Sequence, residues 1–196
     1  MHKLSVLIAD DDAVIRMDLR AVLEDLGHSV VGEAASGPDA CRLARVLRPS
    51  VAILDVMMPA GSGLEAAAAI SRERICPVVL LTAYSEAPVI EEATRAGVLA
   101  FLVKPFARYD LQPAIEIATA RFRELLALEG ERDALSHEIA TVEAVQQAKA
   151  VLVRRHAVSD REAQRRLQAQ AISSGRSLRA IAEAVLLTAD IEAPRR

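Results

Sequence analysis

A rhythm of short apolar runs narrows the fold of this 196-residue chain more than any other feature. Residues 4–9 run into Asp10-Asp11-Asp12, 51–54 into Asp55, 77–81 into Thr82, and 98–103 into Lys104-Pro105; Val30 and Val31 begin one more. Continuously apolar runs too short for helices read as strands buried on both faces. Between them come stretches of helical spacing: 13–26, stopped by Gly27; 38–47, capped by Ser36 or Gly37; 64–73; and 87–96, stopped by Gly97. A further helix starts near Tyr109. Five strands and five helices in alternation, joined by short loops, predict an α/β fold. Its core would be a doubly wound, five-stranded parallel sheet with helices on both faces.

In such a sheet the carboxyl ends of the strands line the ligand crevice. The predicted topology sends Asp10, Asp11, Asp55, Thr82 and Lys104 to that edge together. Taken singly each has a plainer role: the aspartates as an N-cap cluster or a turn opener, Thr82 as a strand end, Lys104 as a solvated charge. Taken together they make a chemistry. Clustered carboxylates repel one another, and a bound divalent cation relieves them. A donor set made only of oxygens favours Mg2+. Asp55 would attack a phosphoryl group, Thr82 donate to one phosphoryl oxygen and Lys104 neutralise another.

The chain is 52% hydrophobic and 26% charged, which suits a globular protein. No apolar run nears the roughly 18 residues of a membrane span, and Met1-His2-Lys3 leads straight into a strand, leaving no room for a signal peptide. Cys41 and Cys76 show neither metal-ligand nor redox spacing. The expectation is a cytoplasmic protein with no membrane partner. Charge then divides the chain: residues 1–121 hold 12 Lys and Arg against 16 Asp and Glu, whereas 136–196 hold 10 against 7. An acidic front and a mildly basic back suggest two modules with different partners.

Leu7-Ile8-Ala9-Asp10-Asp11, Asp55 with Met58-Pro59-Ala60-Gly61-Ser62-Gly63, Leu81-Thr82-Ala83 and Val103-Lys104-Pro105-Phe106 resemble the receiver domain of two-component response regulators. The resemblance covers about residues 3–121 and places a receiver domain at residues 1–121. It implies Asp55 as phosphoacceptor, Asp10 and Asp11 as an acid pair holding Mg2+ with Asp55 and the Met57 carbonyl, and a sensor histidine kinase as donor. It also implies switch roles for Thr82 and Phe101 and a cis Lys104-Pro105 bond. Such a protein is labelled once and decays, so no enzyme turnover is expected. Met57 and Tyr84, two residues beyond Asp55 and Thr82, would slow the attack of water on the phosphoryl group.

Beyond Tyr109 the helical pattern continues. Leu125, Leu128, Arg132, Leu135, Ile139 and Val142 follow alternating steps of three and four, either as a dimeric coiled-coil seam or as a helix packing on its own C-terminal module. Residues 122–135 read as a helical linker and 136–196 as a small all-α three-helix bundle. Its helices are 136–156, one opened by the capping box Ser159-Asp160-Arg161-Glu162, and one capped by Ser177. A DNA-binding helix-turn-helix is the alternative, but residues 178–187 offer one Arg and no Asn or Gln for base edges. Val145-Gln146-Gln147-Ala148-Lys149-Ala150-Val151-Leu152, Ser159-Asp160-Arg161-Glu162-Ala163 and Leu178-Arg179-Ala180-Ile181-Ala182 are similar to the ANTAR domain, which binds RNA in transcription antitermination regulators.

That resemblance implies stem-loop leader transcripts as partner and a phosphorylation-dependent homodimer. Lys149, Arg154, Arg155, Arg165, Arg166, Arg176 and Arg179 are the candidate RNA contacts. All five Phe and Tyr residues precede residue 123, so base stacking as in sheet-type RNA binders is unavailable to this module. Ala150 stands where the family usually has Gly, and Ala157-Val158 where it has a Gly-containing turn.

Overall fold

The computed structural model describes residues 3–59, 61–83, 91 and 97–191. The expected helix at 87–96 and Tyr84 lie outside the described residues. The chain divides into two compact units, Met1–Leu126 and Ala127–Arg196.

In the first unit, β1 (Ser5–Ala9), β2 (Ser29–Ala34), β3 (Val51–Asp55), β4 (Val78–Thr82) and β5 (Ala100–Val103) form one parallel sheet in the order β2-β1-β3-β4-β5. The helices of this unit are α1 (Ala13–Asp25), α2 (Gly37–Leu47), α3 (Gly63–Arg72) and the first part of α4 (Arg108–His156). Central β3 and β4 are buried at every position, as their unbroken apolar runs require, whereas the edge strand β5 alternates between half-buried and exposed. Successive side chains of a strand point to opposite faces, and two cores result. Leu7, Ala52, Leu54, Val78 and Leu80 pack with Ala40, Ala44, Ala67 and Ile70 of α2 and α3. Val6, Ile8, Ile53, Val79 and Leu81 pack with Leu19 and Leu23 of α1 and Leu111, Ile115 and Ala118 of α4.

Helix starts follow the local chemistry. The side chain of Asp12 accepts from the Val14 N–H to cap α1, Ser36 caps α2 and Ser62 caps α3. Gly63, the first residue of α3, lies so close to the Asp55 carbonyl oxygen that any Cβ there would overlap it.

The second unit comprises the remainder of α4 with α5 (Asp160–Ser174) and α6 (Leu178–Ile191). Its core is Val145, Ala148, Leu167, Ile181 and Ala182, flanked by Leu152, Leu178 and Val185. The capping box is formed, with the Ser159 Oγ accepting from the Glu162 N–H, and Gly175 ends α5 in the left-handed region. α4 ends at His156, where Ala157 adopts φ +53° in place of a glycine. The apolar stripe divides: Val145, Ala148 and Val151 are buried, while Leu128, Leu135, Ile139 and Val142 stay 56–61% exposed. Among the described residues no helix is long and apolar enough to cross a membrane.

Candidate functional site

The carboxyl ends of β1, β3, β4 and β5 deliver Asp10, Asp55, Thr82 and Lys104 to one edge. Asp10 is 1% exposed, Asp55 6% and Thr82 4%. The Lys104 ammonium ties the group together, donating to Asp10 Oδ2 at 2.7 Å and to Asp55 Oδ1 at 2.6 Å. The other oxygens are also engaged: Asp10 Oδ1 accepts from the Asp12 N–H at 3.0 Å, and Asp55 Oδ2 from the Met57 N–H at 2.9 Å. The Lys104 N–H donates to the Thr82 carbonyl at 2.7 Å, so β4 and β5 end in register. The Lys104-Pro105 bond is cis.

Burial pushes the Asp55 carboxyl above its ordinary value. It outweighs the hydrogen bond and charge of Lys104 that pull it down, and the Asp10 charge adds to the rise. Burial works against the Lys104 cation too, but the hydrogen bonds and charges of Asp10 and Asp55 prevail and hold its amine above the ordinary range. One ammonium between two nearly buried carboxylates leaves a net negative pocket of oxygen atoms.

Other expected residues fall differently. Asp11 is exposed at the rim, and among the described residues no three His, Cys, Asp or Glu side chains are gathered as a ready metal cluster. The donors present are nonetheless all hard oxygens, with two carboxylates buried side by side, so in chemistry they fit a hard divalent cation. Met57 is 68% exposed at the mouth, and the Phe101 ring is 44% exposed on β5.

One participant escaped the sequence reading. Arg16, on α1, donates from Nη1 to the carbonyls of Asp10 at 2.7 Å and Asp11 at 3.2 Å, and its Nε lies 3.5 Å from Glu33. It clamps the backbone that carries both acids. The available signal was an arginine one helical turn past an acidic N-cap, a pattern too common to single out alone.

In the second unit several of the basic residues are paired with carboxylates. Lys149 is 7% exposed, with its ammonium 2.7 Å from Asp160 at the start of α5. Its position is that of a tie between helices and not of a surface contact, contrary to the expectation for an RNA-facing lysine. Arg165 and Arg166 share Glu162 at 2.7 and 3.1 Å, and Arg179 pairs with Glu183 at 2.7 Å. Arg155 donates to the Ala189 carbonyl at 2.9 Å. Arg154 and Arg176 are exposed.

Comparison with known proteins agrees with this architecture. Residues 6–116 match the response regulator receiver domain and residues 133–186 the ANTAR domain. The chain belongs to the response regulators, joining a receiver domain to an ANTAR domain. It is similar to the transcriptional regulatory protein PdtaR of Mycobacterium tuberculosis, 44% identical over 183 residues, which cover 93% of this chain and 89% of that protein. The fold also resembles the signal receiver domain of a modulated diguanylate cyclase from Desulfovibrio desulfuricans G20. There the TM-score is 0.58 and the identity 32%, covering 62% of this chain and 98% of that one. The signal receiver domain of the putative response regulator NarL from Mycobacterium tuberculosis gives 0.53 and 29%, covering 65% and 97%.

Proposed function

We propose that Asp55 accepts a phosphoryl group from a sensor histidine kinase, and that the ANTAR unit then binds stem-loop RNA to bring about transcription antitermination. Residues 1–121 receive the signal, 122–135 carry it, and 136–196 read it out. The observation that carries the receiving half is the Lys104 ammonium held 2.6 Å from Asp55 Oδ1 and 2.7 Å from Asp10 Oδ2. In the transfer, an Asp55 carboxylate oxygen attacks phosphorus. The bond from phosphorus to the donor nitrogen breaks, and its electron pair stays on the donor imidazole. Lys104, already on Asp55 Oδ1, follows the charge onto a phosphoryl oxygen, and the Thr82 hydroxyl donates to another. Water later cleaves the acyl phosphate, returning the carboxylate and inorganic phosphate.

Asp10, Asp11, Asp55 and the Met57 carbonyl would hold Mg2+, which when bound neutralises charge on the phosphoryl oxygens. Phe101 and Thr82 would report the new charge to the surface. The exposed side chains of Leu128, Leu135, Ile139 and Val142 offer a seam to a second copy. Two ANTAR units in one dimer then engage paired stem-loops with a gain from effective concentration. Arg154, Arg155, Arg165, Arg166, Arg176 and Arg179 supply positive charge toward phosphate.

The test is labelling and capture. Acyl phosphate with Mg2+ should phosphorylate the wild type and leave Asp55→Asn unlabelled. Sequencing of co-purified RNA should recover hairpin pairs after treatment only. Labelling of Asp55→Asn would overturn the receiving half, and recovery of no hairpin the output half.

A further inference from the structure

We propose that the outward face of α5 is the surface that meets the RNA loop; the proposal rests on the RNA-binding reading above. On this face Ile172 carries one splayed base, Gln168 reads its edge, and Arg161, Arg165 and Arg176 hold phosphates. An α-helix turns about 100° per residue, so Arg161, Arg165, Gln168 and Ile172 of α5 fall within about 60° of one another. All four are exposed. Ala163 and Leu167, on the opposite side of the helix, are buried, and Leu167 enters the core of the unit. Arg176 follows Gly175 at the far end of α5 and is exposed as well.

Charge is the first reason to place RNA here. Residues 163–182 contain Arg165, Arg166, Arg176 and Arg179 and no Asp or Glu. Glu162, just before this run, serves Arg165 and Arg166 together at 2.7 and 3.1 Å, so one positive charge is left over. Among the described residues neither Arg161 nor Arg176 makes an ion pair. Arg161 stands in the first turn of α5, where the helix dipole disfavours a cation. Helix stability does not explain its place, whereas a polyanion outside the protein does.

The second reason is Ile172, which is 84% exposed and takes no part in the core beside it. A docked protein would need apolar neighbours there, because the centre of a protein interface is poor in charge. Ile172 has Arg165 and Gln168 before it, and Ser173, Ser174 and Arg176 after it. A lone apolar side chain framed by cations and an amide suits one base with its phosphates alongside. Loop bases are the ones that can be splayed, and flipped bases rest on apolar as well as aromatic side chains. The Gln168 amide, one helical turn before Ile172, carries both a donor and an acceptor for a base edge.

The experiment uses the full-length protein treated with acetyl phosphate and a library of RNA hairpins with a fixed stem and randomised loops. Affinity for the enriched hairpin is measured over a salt series for wild type, Arg161→Ala, Arg176→Ala, Gln168→Ala, Ile172→Ala and Arg42→Ala. Every altered side chain is exposed, and circular dichroism checks that helicity is kept. Arg161→Ala and Arg176→Ala should each weaken binding and lower the salt slope by about one. Ile172→Ala should weaken it about tenfold, the scale of one base contact, at an unchanged salt slope. Gln168→Ala should relax the preference at one loop position. Arg42→Ala removes a cation of α2 that pairs with Asp39 at the surface and should stay within about threefold of wild type. With 4-thiouridine in the loop, the cross-link should fall on residues 167–176, which trypsin releases as one peptide. Binding within about threefold of wild type for Arg161→Ala, Arg176→Ala and Ile172→Ala alike would overturn the α5 face and leave RNA binding standing. A wild type that enriches no hairpin would overturn both.

Discussion

Replacing Lys104 with methionine isolates the charge at the strand ends. The ammonium is 19% exposed and touches two carboxylates that are 1% and 8% exposed, at 2.7 and 2.6 Å. Methionine keeps most of the side-chain volume, so packing changes little and the charge term dominates. Removing one member of a buried ionic group leaves the rest uncompensated and costs roughly 3–5 kcal/mol. Here the loss has an outlet: burial already holds Asp55 above its ordinary value, so the variant can protonate it. Removing the Lys104 charge takes away the main influence that pulls Asp55 down, so its proton is held still more strongly. The expected destabilisation is therefore about 3 kcal/mol at pH 7.5, and it shrinks as the pH falls.

The alkaline side runs the other way. Folding holds Lys104 above 10.5, so its contribution is complete below 10.5 and disappears as the pH climbs through the raised value. The assay is urea unfolding in metal-free buffer across this pH series, with the difference between wild type and variant as the readout. A difference below about 0.5 kcal/mol at pH 7.5, or one that grows on acidification, would refute the reasoning.

Other perturbations test separate parts of the molecule. Gly63→Ala forces a methyl into the Asp55 carbonyl oxygen and should cost about 3 kcal/mol in urea unfolding, the upper end for overpacking. Ala157→Gly relieves the left-handed conformation at φ +53° and should stabilise the second unit by about 0.5–1 kcal/mol in thermal unfolding. Arg16→Ala removes the clamp on the Asp10 and Asp11 carbonyls. It should weaken Mg2+ binding roughly tenfold by titration calorimetry, with Arg16→Lys recovering part. Leu135→Glu combined with Ile139→Glu alters residues about 60% exposed. The pair should leave helicity intact and abolish any acyl-phosphate-induced dimer in sedimentation velocity.

Most of the sheet, and the gathering of these side chains at one edge of it, was legible in the sequence. Apolar runs that stop on Asp10, Asp55, Thr82 and Lys104 carry their own geometry, because parallel strands buried on both faces must align their ends. Element boundaries moved by a residue or two: α3 begins at Gly63 and β4 reaches Thr82. Contacts set by tertiary structure were not legible. Lys149 looked like a surface cation until the start of α5 placed Asp160 2.7 Å from its ammonium. Ile139, Val142 and Val145 share one periodic stripe, yet only Val145 is buried, because helical spacing marks a face without saying where a partner helix begins. Asp11 and Asp10 are neighbours in sequence, but a strand end turns one inward and leaves the other at the rim.

The close approach of Gly63 to Asp55 makes the site mechanically lopsided. Behind Asp55, the first residue of α3 lies against the carbonyl oxygen, and the Gly63 N–H and the Val56 N–H pin the same corner to Val56 and Leu81. The main chain there is held by these two bonds and by the close contact with α3. If Asp55 takes a phosphoryl group, as proposed, the added bulk has this pinned corner on one side and Thr82 and Lys104, at the ends of β4 and β5, on the other. In the proposed reaction the glycine then acts as an anvil, with Thr82 and Lys104 facing it across the new group.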